Sequence, residues 1–502
     1  MMSVHNIRLI RLASFIMIVI LSVARGYAQK HVISLSIEDA LVMGREQSIA
    51  SKENLNTMRI AYWQYRNYRA DMFPTISFTG TLPTLNRSLS SYQQSDGVYK
   101  FIRNNYISEE FSIAISQAIP FTGGRVSLQS NVERMDQLDN SGVGSFLTIP
   151  FNLTITQPIF AYNQYKWDRK IEPLKYENSR QNYVASIEDV NIKTVTYYFD
   201  FLLAISDKKI AQQNLLNAQK LYDIALAKKK LGTISDDELM QLHVSLLNAN
   251  AKLITADNDC SEKMHNLRNY LGLSDEVEIV PVIPDEKIIT MASADMIREK
   301  AYSNNPIYKD FKIRLLEAEA NLVQAKRNRG PNVELNLSIG NTGSDRNFFK
   351  SYTHLQNRQI AQIGINIPIL DWGKRTGQYE LAKSQYSLVK DRVERDGQDF
   401  KETVRSLIDN IFDQPKLVQV YEQADSIAQE RYKIAIERFS LGDINVIDIN
   451  YAEQEKDNAR RQYINQLYLS WLYYYNLRYI TLYDFETGQN LIFENIGTEE
   501  HD

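Results

Sequence analysis

The second half of this chain repeats the first at a fixed offset of 210 residues, and a duplicated unit constrains a fold more tightly than any single motif. Tyr222, Ala225, Leu231, Gly232 and Ile234 recur as Tyr432, Ala435, Leu441, Gly442 and Ile444. Asn248-Ala249 recurs as Asn458-Ala459, and Asn266-Leu267-Arg268 as Asn476-Leu477-Arg478. Upstream, Ile155 and Pro158-Ile159 recur as Ile365 and Pro368-Ile369 with the same spacing. The order of these signals is the same in both halves, so the chain reads as a tandem duplication.

Each half contains the same succession. A helical stretch (37–72; 294–329) is followed by strands that begin at Pro74 and Pro331. Ser36 with Asp39 three residues on approximates a capping box at the first helix, whereas Ser293 has Met296 at that place. A long helix then runs to a glycine turn, and a shorter helix follows. The strand segments alternate with period two: Leu147, Ile149, Phe151, Leu153 and Ile155 in one half, Val333, Leu335, Leu337 and Ile339 in the other, then Ile363, Ile365, Ile367 and Ile369. A barrel wall in lipid needs this alternation, and a soluble sandwich shows it too. The helices favour the first reading. Residues 374–440 form a nearly uninterrupted helix of about 100 Å at 1.5 Å per residue. Apolar positions recur at 3–4 spacing (Ile187, Val190, Thr194, Tyr197, Phe201; Ile464, Leu467, Trp471, Tyr474), as in coiled-coil seams. Pro415 predicts a kink in the second long helix, where the first has Ile205. The shorter helices are together long enough to return alongside the long one, which describes the wall of a tube.

Composition narrows the class further. Arg8 and Arg11 precede an apolar run over residues 12–24, with Gly26 and Ala28 after it, the order of a secretory signal cut after Ala28. That run is too short to span a bilayer, and no later stretch approaches the roughly 20 apolar residues of a spanning helix. The mature chain is expected to be soluble, peripheral, or to cross a membrane as strands. A net charge of -4 offers no basic field for nucleic acid. The lone Cys260 excludes an internal disulfide framework. The 30 tyrosines suit membrane-interface girdles and tyrosine-rich helical cores alike.

The order and duplication of Thr156-Gln157-Pro158-Ile159-Phe160, Ile367-Pro368-Ile369-Leu370-Asp371-Trp372-Gly373 and the turns Leu231-Gly232-Thr233-Ile234 and Leu441-Gly442-Asp443-Ile444 resemble the TolC family of outer-membrane efflux proteins. The resemblance covers the whole mature chain. It implies an α plus membrane-β fold: a TolC-like trimeric β-barrel of 4 to 6 strands per protomer, continued by a long periplasmic α-helical coiled-coil barrel. After the signal peptide (1–28), the expected order in repeat 1 is a periplasmic helix (29–73), an outer-membrane β segment with an extra hairpin (74–160) and a periplasmic helical hairpin (161–273). An equatorial linker (274–293) joins it to repeat 2: a helix (294–330), a β segment (331–370), a helical hairpin (371–484) and an equatorial tail (485–502). Open strand edges are not viable in lipid, which independently favours closure by several copies.

The two β segments differ. Pro74 and Pro158 are 84 steps apart against 37 between Pro331 and Pro368, and the excess contains two further alternating runs at 111–119 and 125–133. These fit either two more wall strands or a flap outside the barrel.

The functional expectation that the resemblance implies is a passive outer-membrane exit duct of a tripartite efflux or type I secretion system. Its partners would be two further copies in a homotrimer, a periplasmic adaptor (membrane fusion) protein, an inner-membrane transporter and outer-membrane lipid. The tips Leu231, Gly232, Thr233, Leu441 and Gly442 resemble the family's adaptor-docking ends; the glycines also serve as left-handed helix ends. Asp448 corresponds to an acidic gate position, Phe439 to a constricting tyrosine, and Glu238 is the first-repeat counterpart of Asp448. Tyr451 replaces a second family aspartate. Solvated helix faces are the other use open to both carboxylates. Phe73, Phe78, Phe151, Phe160 and Trp372 are girdle or packing candidates. No HExxH, GxSxG or phosphate-binding glycine loop occurs, and no histidine pair suits a metal, so neither catalysis nor a cofactor is expected. The rival from another class is a non-pore coiled-coil structural or adhesin-like envelope protein.

Overall fold

The computed structural model describes residues 31–139, 144–287, 293–441 and 443–493. The segment expected as a leader at 1–28, Gly442 and the last part of the expected tail lie outside the described residues. Two compact units are formed, one from residues 57–181 and 306–400, the other from 1–56, 182–305 and 401–502.

The first unit is built on one six-stranded antiparallel sheet: β2 (Thr75–Gln93), β3 (Tyr99–Ile119), β4 (Gly124–Gln137), β5 (Gly144–Ile159), β7 (Asn332–Asp345) and β8 (Gln356–Asn366), hydrogen-bonded in that order. The label β1 denotes His31–Leu35 and β6 Val277–Pro281, both in the other unit. Four strands come from the first repeat and two from the second. The extra hairpin is therefore part of the sheet, with β3 and β4 between β2 and β5.

Partners directly opposite in an antiparallel pair share a face. Following the register places Ile76 and Phe78 beside Ile115 and Ile113, and Ile115 beside Leu128, which faces Leu153. Leu153 faces Ile339, and Leu335 and Val333 face Ile363 and Ile365. The opposite face is mainly polar, with Leu147, Ile149 and Ile360 as exceptions: Ser116 Oγ and Ser127 Oγ are 2.9 Å apart, Thr156 donates to Asn336 Oδ1 at 2.8 Å, and Ser338 donates to Asn152 Oδ1 at 2.7 Å. One-residue insertions exchange the faces: the bulge in β2 between Thr81 and Thr84 keeps Leu85 on the apolar side with Phe78, whereas the bulge in β5 between Thr148 and Phe151 puts Thr148 on that side and turns Leu147 and Ile149 to the other.

Among the described residues, no second sheet covers the apolar face within this unit. Ile76 is 73% exposed and Ile363 and Ile365 are each 63% exposed. A soluble sandwich buries that face, so the alternation belongs to a sheet whose apolar side meets something other than the chain.

The second unit is mainly helical, and both long helices begin in the first. Offset by the repeat distance, α3 (Gln164–Lys230) corresponds to α7 (Lys374–Leu441), and α4 (Asp236–Leu271) to α8 (Val446–Thr481), the latter two both 36 residues long. Helix α7 runs through Pro415 without interruption. Beside that proline, Gln414 is buried and its amide donates to Gln466 Oε1 and to the Gln466 carbonyl.

The helical stretches expected as single helices are each broken once. The first divides into α1 (Ile37–Gln47) and α2 (Ile49–Ala70), the second into α5 (Ala294–Asn304) and α6 (Ile307–Asn328). Pro306 explains the second break, because a residue before proline is driven out of the helical region and Asn305 is extended. At the first break Ser48 is extended, and its hydroxyl accepts from Ser51 N. The segments expected as helix at 29–36 and linker at 274–293 also contribute a parallel pair, β1 with β6. Tyr198 fastens that pair: its hydroxyl donates to Leu35 O at 3.0 Å and accepts from Val282 N at 3.0 Å. After α8, β9 (Tyr483–Asp484) and β10 (Gln489–Asn490) form a small hairpin.

Candidate duct wall and helical tips

The ends of the two long helices are built alike. Lys229 and Lys228 carbonyls accept from Gly232 N and Thr233 N, both at 3.0 Å, and Gly232 is left-handed at φ 72°, which favours a residue without Cβ. Each returning helix opens with a complete capping box. Ser235 accepts from Glu238 N while Glu238 Oε2 accepts from Ser235 N. Asn445 Oδ1 accepts from Asp448 N at 3.0 Å, and Asp448 Oδ2 accepts from Asn445 N at 3.2 Å. The two acidic residues singled out by sequence therefore hold the first turns of α4 and α8, where the helix dipole also favours negative charge.

Thr233, Glu238, Phe439 and Asp448 line one cavity of about 430 Å³, together with Lys228. Asp448 is exposed and Glu238 half-buried. Phe439 is only 8% exposed, packed in a cluster with Leu221, Ala225, Val446 and Ile449. The Lys228 ammonium lies 5.1 Å from its ring centre and donates to its carbonyl. Leu231 and Leu441, each 78% exposed, project from the tips.

Farther along the same helices lies a buried polar layer that sequence reading missed. Tyr432 donates to Glu453 Oε2 at 3.2 Å and accepts from Asn217 at 3.0 Å, while Asn214 donates to Asp457 Oδ2 at 2.7 Å. Burial and, next, the neighbouring Asp457 raise the Glu453 carboxyl above its ordinary value, although Lys456, Tyr432 and Lys252 pull the other way. A raised carboxyl favours folding below its ordinary value of 4.5 and loses that contribution as pH climbs through the raised one. Glu453→Gln is therefore expected to raise the thermal midpoint at pH 7.5 and to flatten its pH dependence above about pH 4.5. Calorimetry across that range checks both.

In the sheet unit, aromatic side chains mark the end nearest the strand–helix connections. Phe73, Phe160 and Trp372 stand at three of them and Phe121 in the turn between β3 and β4, and all four are exposed. Phe160 and Trp372 hold positive φ, 67° and 53°, a conformation that costs a bulky residue about 1–2 kcal/mol. Phe78 and Phe151 sit within the apolar face instead.

A buried ion-pairing arginine whose partners sequence reading did not foresee is Arg478, the last residue of the repeated Asn-Leu-Arg. Its guanidinium bonds both oxygens of Glu188 at 3.0 Å and Asp484 at 2.6 Å. The first-repeat counterpart, Arg268, is buried and reaches Asp275 at 2.5 Å. The repetition of the tripeptide was the available signal.

The family model for outer membrane efflux proteins matches residues 125–273 and 297–470. Outer membrane protein TolC of Escherichia coli (strain K12) is 21% identical over 351 residues, which cover 66% of this chain and 70% of that protein. Among solved structures, the CmeC outer membrane channel of Campylobacter jejuni aligns with a TM-score of 0.61 at 14% identity, covering 91% of this chain and 86% of its own. The outer membrane protein VceC of Vibrio cholerae aligns with a TM-score of 0.61 at 12% identity, covering 91% and 96%. At such identities the structures show the shared fold. Duplicated helix–strand–helix units, an uncovered apolar sheet face and the family match over both repeats lead to one conclusion: the chain belongs to the outer membrane efflux protein family, and it is an outer-membrane channel protein with a TolC-like fold.

Proposed function

We propose that three copies of this chain close one barrel and act as a passive exit duct, performing no chemistry on what passes. The observation that carries this reading is the six-stranded sheet with one polar face, one uncovered apolar face and two unpaired edges, β2 and β8. Unpaired strand edges cannot persist in hydrocarbon, so β8 of one copy pairs with β2 of the next, and three copies of six strands make an 18-stranded wall. The polar face then lines water and the apolar face meets outer-membrane lipid. Cross-linking of outer-membrane fractions tests this: the duct gives a heat-resistant trimer that conducts in planar bilayers. A water-soluble monomer without conductance supports the coiled-coil scaffold reading instead.

In this assembly the sheet regions within 74–160 and 331–370 form the membrane segments, and the helical hairpins 161–273 and 371–484 reach into the periplasm. The tips Leu231, Gly232, Thr233, Leu441 and Gly442 dock a periplasmic adaptor that links the duct to an inner-membrane transporter. Photocrosslinkers at Leu231 and Leu441 should capture that adaptor in cells, whereas one at Thr353, between β7 and β8 of the sheet, should not.

Asp448, Glu238 and Phe439 form the periplasmic gate. Phe439 contributes as the packed anchor of the tip, and the carboxylates supply charge. Asp448→Asn keeps an oxygen able to accept from Asn445 N while removing the charge. Three such charges about 10 Å from a wet axis contribute on the order of 1 kcal/mol, so the variant should lose cation-over-anion preference several-fold. Reversal-potential recordings measure it; an unchanged preference removes Asp448 from the gate.

A further inference from the structure

At the end of the sheet away from the helices, residues 346–355 between β7 and β8 fold back over the apolar face as an ordered strap. Ser351 O accepts from the hydroxyl of Thr148 at 2.9 Å, both residues being fully buried, and a Cβ at Gly343 would lie 2.0 Å from that same carbonyl. Gly343 therefore leaves room for the strap. Asn347 Oδ1 accepts from Phe349 N at 2.9 Å, and Ser351 donates to Phe348 O at 2.6 Å, so the strap has its own internal bonding.

The register fixes the level of the strap on that face. Glu109, Arg134, Phe146 and Asp345 are successive partners across four strands and form a row in which charge interrupts the aliphatic band, which resumes on β2 and β3 at Leu85 and Ile107. The row directly beneath is Phe111, Val132, Thr148 and Gly343. Phe348 stacks edge-on against Phe146 at 5.6 Å, with Phe349 and Tyr352 against Phe348 at 5.3 and 5.4 Å. Yet Phe349 remains 78% exposed, and the exposed Arg346 and Lys350 make no ion pair among the described residues.

We propose that this strap is a docking surface for outer-leaflet lipids with anionic, phosphorylated headgroups. Phe349 enters the boundary of the acyl region, and Arg346 and Lys350 meet the phosphates. The inference rests on the apolar face being the lipid face. Continuity with that band, the row where hydrocarbon gives way to charge, and the excess of cations on the strap select such a lipid over a protein partner.

The test uses full-length protein extracted as trimers in neutral detergent, with diphosphoryl lipid A and phosphatidylcholine as probes and native mass spectrometry as the readout. Wild type should retain lipid A in preference to phosphatidylcholine. Arg346→Ala with Lys350→Ala should lower retained lipid A about 30-fold, since each interfacial cation contributes about 1 kcal/mol. Phe349→Ser should lower both lipids, and Arg125→Ala, on the polar face, neither. Equal lipid A retention by wild type and the double variant overturns the proposal, as does an equal loss in Arg125→Ala. Heat-resistant trimers confirm that each variant is assembled. Conductance of the same preparations separates the two readings: conducting trimers that ignore lipid A refute only the strap, whereas wild-type trimers that fail to conduct refute the duct on which it stands.

Discussion

Replacing Arg478 by alanine is expected to destabilise the helical unit by about 3–5 kcal/mol, because it strands a buried carboxylate rather than merely removing a bond. Glu188 is 4% exposed, and its other recorded side-chain partner is the amide of Asn191 at 3.1 Å. Asp484 loses the same guanidinium, although its oxygens also accept from Glu486 N and Thr487 N. Thermal unfolding of the detergent-solubilised protein at matched scan rates measures the loss. A double variant, Arg478→Met with Glu188→Gln, should recover much of it, since the cost comes mainly from an unpaired charge. If the double variant is as damaged as Arg478→Ala, packing rather than charge is responsible. Acid adds a check. Burial would raise the Asp484 carboxyl, but the Glu486 amide and the Arg478 guanidinium outweigh it and hold the carboxyl below its ordinary value of 3.8. Its contribution is therefore present above that value and is lost as pH falls through the lowered one, so the gap between wild type and Arg478→Ala should narrow only below about pH 4.

The second large effect separates two adjacent residues of β7. Leu337→Arg puts a charge on the apolar face in the middle of the band and is expected to cost about 2–4 kcal/mol of membrane stability per protomer. Ser338→Arg, one residue on, points to the polar face beside Asn152 and should assemble at near wild-type levels. Quantifying heat-resistant trimer in outer-membrane fractions compares the two. Equal loss from both would mean that the faces are not distinguished by lipid. The contrast depends on register, because a slip of one residue exchanges every side chain between the faces.

Much of this was legible because the duplication repeats both the pattern and its punctuation. The turn at Gly232, the matching helices of the two repeats and the alternation of β7 all follow from local periodicity and from residues such as Gly232 that need a left-handed backbone. The membership of β3 and β4 in the sheet was not legible, since alternation gives the faces of a strand but not its neighbours. The breaks at Ser48 and Asn305 were missed for different reasons. Pro306 did signal the second, while the first depends on a serine cap that looks like any polar residue within a helical pattern. The parallel pair of β1 and β6 is too short to carry a period, and its fastener, Tyr198, lies far from both strands in sequence.

At the candidate gate, sequence placed Asp448 and Glu238 at equivalent positions in the repeat, and the structure adds why acids occur there: both complete capping boxes. Phe439 read as a constricting side chain, whereas its ring is packed beneath Lys228, a long-range contact that no local pattern discloses. The layer around Tyr432, Asn217 and Glu453 is invisible in sequence for the same reason, because its members come from three helices.

The central claim is that one face of the sheet meets lipid and the other meets water. Single cysteines at Leu335, Asn336, Leu337 and Ser338, in a Cys260→Ser background, test it directly when a charged, membrane-impermeant thiol reagent is added during planar-bilayer recording. The account expects rapid modification with a fall in conductance at Asn336 and Ser338, and neither at Leu335 or Leu337. Uniform modification along β7, or block from the leucine positions, would contradict it.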